Sequence, residues 1–195
     1  MKNLELLKTG RKPAPGELVI VQGLVNTLDV ETGTDEIGTA ESLKAWLVRH
    51  GLLPSKAELS SKDLQTALTL REALRFLLLA NNGETVPRIS SRKLNYLFSQ
   101  YPLAVSFGTD GTPSLSPAGR GIAGALGQIL IQVVKAVGEG TWTRLKACNE
   151  PTCNWAFYDS SKNHSGRWCS MSVCGSRDKA RAYRKRQSKR KLTGR

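Results

Sequence analysis

The stretch Cys148-Asn-Glu-Pro-Thr-Cys153, then fifteen residues, then Cys169-Ser-Met-Ser-Val-Cys174 holds all four cysteines of a 195-residue chain within 27 positions. Two short-spaced pairs joined by a longer loop suit a tetrahedral metal. Each pair supplies two thiolates from one turn, and the loop brings the pairs together. Four thiolates close the shell and leave no position for a reactive water. The pattern therefore predicts one structural Zn2+ held by Cys148, Cys153, Cys169 and Cys174. Lys146, Arg167 and Arg177, with turn amides, are expected to offset the thiolate charge. So short a region cannot bury enough surface alone, which makes its folding metal-dependent. Between the pairs, Asn154-Trp-Ala-Phe-Tyr-Asp159 reads as the first strand of a small hairpin. Ser160 to Gly166 reads as its tip and Arg167-Trp168 as its return, with Trp155, Phe157 and Trp168 as a miniature core.

Directly after the last cysteine the chain turns basic. From Arg177 to Arg195, ten Lys and Arg residues face a single acid, Asp178. The formal net charge of +13 is concentrated there: residues 1–143 carry 15 basic and 13 acidic side chains, residues 144–195 carry 14 and 3. A field of that sign attracts polyanions, nucleic acid above all. On a helix starting near Gly175, Arg177, Arg181, Arg184 and Lys185 fall on one face, while Ala180 and Tyr183 offer a less charged side to pack on the metal module. Such a helix fits the DNA major groove, with most contacts to phosphate. The candidate nucleic-acid contacts are Arg167, Arg177, Lys179, Arg181, Arg184, Lys185, Arg186 and Lys189. RNA-binding proteins use similar small zinc modules with basic tails, so RNA stays open beside DNA. Ser188 to Arg195, with Leu192 as its one apolar residue, reads as a mobile arm.

The first 140 residues are of ordinary globular composition and show helical patterns. Leu18-Val-Ile-Val21 can be a strand or the lead-in to a helix, and Asp29 to Gly38 reads as a loop. Thr39 is an N-cap for a helix carrying Leu43, Trp46 and Leu47 and closed by Gly51. Ser60-Ser-Lys-Asp63 is a capping box. The helix it opens runs to about Ala80, with Leu64, Ala67, Leu68, Leu74, Leu77 and Leu78 inward and Arg71 and Arg75 outward, where those two arginines can hold an anionic ligand. Asn81-Asn-Gly83 ends it. A shorter helix from Ser91 to Gln100 follows, then a hairpin of Leu103 to Phe107 returning through Thr112 to Ser116. The apolar helix through Val137 carries Gly121, Gly124 and Gly127, which suits close approach by another helix. That helix is broken by glutamines and a lysine, too short and polar to span a bilayer comfortably. The polar stretch Met1 to Glu17 lacks a signal-peptide core, so a cytoplasmic location is expected, where thiols stay reduced. His50 and His164 are the two histidines. No nucleophile motif, phosphate loop or acidic pair stands out, Asp35-Glu36 reads as solvated, and no enzymatic activity is expected.

Cys148-x4-Cys153, Phe157-x-Asp159-x-Ser161, Arg167-Trp-Cys-Ser-Met171 and Cys174-Gly-Ser-Arg177, followed by Lys179 and Tyr183, resemble the CGNR zinc finger. That bacterial family is named for the tetrapeptide holding its last zinc cysteine. This chain has Ser176 where the family has Asn, and a serine there can still cap the helix or bond a neighbouring backbone group. Leu24-Val-Asn-Thr-Leu28, Leu43 with Trp46-Leu47 before Gly51-Leu52, and Arg71-Glu-Ala-Leu-Arg75 resemble the ABATE domain of stress-induced transcription regulators. The expected fold is mainly α with a small β-hairpin: a helical domain over residues 1–140 and a four-cysteine zinc finger with a basic helix over 141–195. The resemblance implies a DNA-binding transcriptional regulator, nucleoid-associated when bound, whose helical domain senses or assembles. A small-molecule effector and a second copy of the chain are further candidate partners, and a ligand- or protein-binding domain whose finger is only structural is the alternative reading beside RNA binding.

Overall fold

The computed structural model of the chain describes residues 12–85 and 87–192. Of the sequence expectations, those on Met1 to Arg11, on residues 193–195 and on the side chain of Lys189 lie outside the described residues. In chain order the elements are α1 (Val19–Val25), β1 (Leu28–Asp29), β2 (Thr34–Asp35), α2 (Ala40–Arg49), α3 (Ser61–Asn81), α4 (Arg88–Ser99), β3 (Leu103–Phe107), β4 (Pro113–Pro117), α5 (Gly121–Gly138), β5 (Leu145–Ala147), β6 (Ala156–Tyr158) and α6 (Ser176–Leu192). The fold is mainly α, with three separate antiparallel strand pairs among the described residues.

Local chemistry accounts for most boundaries. The strand reading of Leu18 to Val21 loses to a helix because Val21, Leu24 and Val25 repeat at helical spacing and are all fully buried. At α2 the Ser42 N–H donates to Thr39 Oγ1 (3.1 Å) and the Thr39 N–H to Ser42 Oγ (3.0 Å). At α3 the same reciprocal cap joins Ser60 and Asp63. Gly51, with φ of 69°, takes the left-handed position that ends α2. The loop expected from Asp29 to Gly38 contains the short pair β1–β2, in register Leu28 with Asp35.

One core joins α1, α2, α3 and α5 through Leu24, Leu47, Leu74 and Ile129, and it also takes in Leu145, Ala147 and Ala156 from β5 and β6. A second, smaller cluster contains Cys148, Cys153, Cys174 and Phe157, with Trp155, Trp168 and Cys169 packed against it. By length and composition α5 is the one helix among the described residues long and apolar enough to cross a membrane. Here it lies in the core, with Ala125, Leu126, Ile129 and Leu130 buried.

Several expectations are corrected. Arg71 and Arg75 do not point outward: they are 4% and 5% exposed. Arg71 makes a two-pronged pair with Asp35 (2.7 and 2.9 Å), so Asp35 is not a solvated loop acid. Burial alone would raise the Asp35 carboxyl, but the Arg71 hydrogen bond and the Ile37 amide hold it below its ordinary value. Arg75 donates to the carbonyls of Val25 (2.7 Å) and Asn154 (2.9 Å), and Glu72 accepts from both arginines. Their donors serve the protein itself, which removes the reason to place an anionic ligand there. Gly127 and Gly124 of α5 admit a strand and a loop rather than a helix, while Gly121, with φ of 57°, has nothing within 4 Å of its Cβ position. A Cβ on Gly127 would lie 2.9 Å from Pro117 Cβ of β4, and one on Gly124 2.8 Å from the Gly119 carbonyl oxygen. The arm expected from Ser188 is helical to Leu192.

Candidate metal centre and nucleic-acid interface

The four cysteines arrive from three directions. Cys148 follows β5, and its N–H donates to the Trp155 carbonyl (2.9 Å). A turn closed by the Cys153 N–H on the Glu150 carbonyl (2.9 Å) brings in Cys153. Cys169 ends the long loop, and Cys174 sits in one wide i→i+5 turn, Met171–Gly175, that leads into α6. All four sulfurs lie within 4.8 Å of one another. The Cys153–Cys169 and Cys169–Cys174 separations are 3.6 and 3.7 Å. A tetrahedron with metal–sulfur bonds near 2.3 Å has edges of about 3.8 Å, so this spacing fits one zinc ion and is far too long for disulfides. The Cys169 N–H also donates to Cys148 Sγ (3.5 Å), the kind of amide contact that stabilises a thiolate.

Without a cation the sulfurs cannot all ionise. Hydrogen bonds from the Cys153 and Cys169 thiols pull Cys148 down to about 2. The same contacts with Cys148 and Cys153 push Cys169 upward, and burial plus their charge pushes Cys174 to about 12. A divalent cation relieves that conflict, since coordination deprotonates a thiol outright. The His164 ring takes no part in the cluster; His164 is exposed and contributes its backbone carbonyl to Lys146 (2.6 Å).

The cations expected around the thiolates are used differently. Lys146, 5% exposed, pairs with Asp159 (2.7 Å), itself 4% exposed, and donates to the Gly166 carbonyl (3.1 Å). Burial would raise the Asp159 carboxyl, but Lys146, Ser161 and the Gly166 amide hold it well below the usual carboxylate range. This pair pins the loop between the cysteine pairs. Arg167 stacks over the Trp168 ring at 5.7 Å. The hairpin also differs from expectation: Ala156–Tyr158 pairs with Leu145–Ala147, ahead of the first cysteine, not with Arg167-Trp168. Leu145 and Ala147 are fully buried apolar positions that no solvated return could match.

Backbone carbonyls of the finger are received by amide side chains of the helical part. Asn81 Nδ2 donates to Trp142 and Leu145 (3.0 and 2.9 Å), and Asn82 Nδ2 to Ala147 and Arg167 (2.7 and 2.8 Å). Asn26 both donates to the Ala156 carbonyl (2.9 Å) and accepts its N–H (2.7 Å), and Gln22 adds a further bond there (3.2 Å). These side chains escaped the sequence reading, in which Asn81-Asn82 was simply a helix terminator.

The basic helix is aimed by acids. Arg181 grips Glu150 with both guanidinium nitrogens (3.0 and 2.7 Å) and reaches Asp178 (3.2 Å). Glu150 lies in the first cysteine turn, 1% exposed, and the Arg181 hydrogen bonds hold its carboxyl below the ordinary value. Arg177 pairs with Glu31 in the β1–β2 turn (2.8 Å). The Ser176 hydroxyl bonds the Met171 carbonyl at 3.4 Å. Arg177 and Arg181 therefore hold the helix on the protein. Tyr183, expected to pack on the finger, is 57% exposed. Lys179, Arg184, Lys185 and Arg186 are exposed, and none of them has a carboxylate partner among the described residues.

A four-thiolate cluster beside a cationic helix, docked on a helical bundle, defines a zinc-finger protein. Residues 144–187 match the CGNR zinc finger, and residues 19–140 match the family described as "Putative stress-induced transcription regulator", ABATE. The chain belongs to the ABATE family and carries a C-terminal CGNR zinc finger. No curated protein matches it.

Proposed function

We propose that this protein is a DNA-binding transcriptional regulator whose α6 enters the major groove from a zinc-stapled finger, with the helical part as its regulatory half. The observation that carries this reading is the set of exposed cations on α6, Lys179, Arg184, Lys185 and Arg186, unpaired among the described residues, on a helix whose base is tied down by Glu150 and Glu31. A rigid cationic helix about 10–12 Å across suits the major groove of B-DNA. Reduced thiols and the zinc shell suit a cytoplasmic setting. The regulatory role of the helical part is supported by the carbonyl-to-amide contacts from Gln22, Asn26, Asn81 and Asn82, through which any rearrangement of α1 or α3 reaches the finger.

The test is a titration of duplex DNA at several salt concentrations, with Arg184→Ala and Lys185→Ala combined. Removing one cation from phosphate should lower the slope of log K against log salt by about 1, so the double variant should show a slope shallower by about 2. An unchanged affinity and slope returns α6 to the status of a solvated charged helix.

A further inference from the structure

On the face of α6 that the charge pattern favoured, two of the four cations, Arg177 and Arg181, are tied to carboxylates of the protein. At about 100° per residue, Arg177, Arg184 and Lys185 fall within roughly 60° of Arg181, whose guanidinium is clamped on Glu150. Around the helix from Arg181 a different set comes together. Lys179, Tyr183, Arg186 and Gln187 lie at spacings of four, three and one, inside an arc of about 100° centred opposite Arg181. Lys179 and Arg186 are exposed, Tyr183 is 57% exposed, and Gln187 is half-buried. An aromatic ring is an unusual thing to leave in water on a helix of this composition. Here it sits between a lysine and an arginine, with a glutamine one turn on.

We propose that this arc, Lys179, Tyr183, Arg186 and Gln187, is the base-reading face of the helix, and that it recognises B-form duplex DNA by sequence. The inference rests on the DNA-binding reading above and goes beyond it by assigning separate tasks along one helix. Arg177 and Arg181 are positioning residues that set the helix angle through Glu31 and Glu150. Arg184 and Lys185, off the arc, serve phosphate, which carries no sequence information. The arc presents the groups that base edges discriminate. The Gln187 amide can bond adenine N6 and N7 in a two-pronged fashion, Arg186 can do the same with guanine O6 and N7, and the Tyr183 ring can lie against a thymine methyl. Charge complementarity to the duplex comes from Lys179 and Arg186, which have no carboxylate partner among the described residues. Duplex RNA does not satisfy this face, because the A-form major groove is too deep and narrow for a helix to read.

The experiment starts with the zinc-loaded full chain and a random library of B-DNA duplexes with about 20 variable base pairs. Enriched sequences give one selected duplex, and its scrambled counterpart serves as reference. Tyr183→Ala and Gln187→Ala should each lower the ratio of selected to scrambled affinity by about tenfold, with scrambled-duplex affinity and salt slope close to wild type. Tyr183 is exposed and Gln187 half-buried, and an unchanged helix signal with unchanged zinc content establishes that the variants fold. The combined Arg184→Ala, Lys185→Ala protein should weaken on both duplexes together and keep the ratio. An unchanged ratio in Tyr183→Ala and Gln187→Ala, with the Arg184 and Lys185 effect present, overturns the base-reading face and leaves DNA binding standing. Failure to enrich any sequence does the same. Duplex RNA of the selected sequence bound as tightly as DNA overturns the major-groove assignment. Wild-type protein that retains no duplex at low salt overturns both readings.

Discussion

Asp35 and Arg71 show what a single residue pair does in this protein. A guanidinium that is 4% exposed needs its charge answered, and Asp35 answers it with both oxygens while Thr27 takes a further bond. Asp35→Asn should cost about 2 kcal/mol in a denaturant titration at neutral pH, because the buried guanidinium loses its two-pronged partner and keeps the half-exposed Glu72 as a carboxylate. The pH dependence follows from the depressed carboxyl. Asp35 stays charged in the folded state below its ordinary value of 3.8, so its contribution is complete above about pH 4 and is lost as pH falls below that. The stability gap between wild type and variant should therefore close on acidification, and a gap that widened instead would refute the pairing's role. Neither partner was legible as such: Arg71 on a helix and Asp35 in a loop each look solvated until the chain is folded. In the finger, Asp159→Asn should cost a similar amount by stranding Lys146, read as a lowered melting temperature of the zinc-loaded protein.

At the scale of elements, caps and breaks were readable because they are local. Thr39, Ser60 and Gly51 act within three or four residues of themselves, which is the range sequence can show. Partners were not readable, and α5 is the case in point. Gly124→Ala would gain about 1 kcal/mol of helix propensity in open solvent. In this fold its Cβ would meet the Gly119 carbonyl at 2.8 Å, a backbone atom that cannot swing away. The net effect should be destabilising by about 1–3 kcal/mol, measured by thermal unfolding. For the finger, Cys169→Ser should reduce bound zinc from one equivalent toward none, and amide exchange should become fast from residue 145 through α6 while α2 stays protected. Glu150→Gln should leave zinc in place and loosen α6 alone, again read by amide exchange, since Arg181 then loses its buried carboxylate.

Across the whole molecule, the finger and the helical part share one core and a polar seam. Leu145, Ala147 and Ala156 are buried with the helices, and Asn82 receives two finger carbonyls at 2.7 and 2.8 Å. Asn82→Ala should cost about 2 kcal/mol by leaving those carbonyls unanswered, and it should speed zinc loss to a chelator. A zinc-release rate equal to wild type would show that the seam does not support the metal site. Two cations of the face expected to meet nucleic acid, Arg177 and Arg181, are tied to acids that the sequence does not show as their neighbours. The acid that turns Arg181 inward, Glu150, lies 31 residues upstream and becomes its neighbour only when the cysteine turn closes.

By itself the sequence determined the four metal ligands, the helical fold class and the basic helix, because thiolate spacing, caps and charge density are properties of short stretches. Tertiary structure alone decided the direction of that helix, the burial of Arg71 and Arg75 and the pairing of β5 with β6. Each depends on groups distant in the chain that meet only in the folded protein, where burial makes a charge seek its partner and a carbonyl its donor.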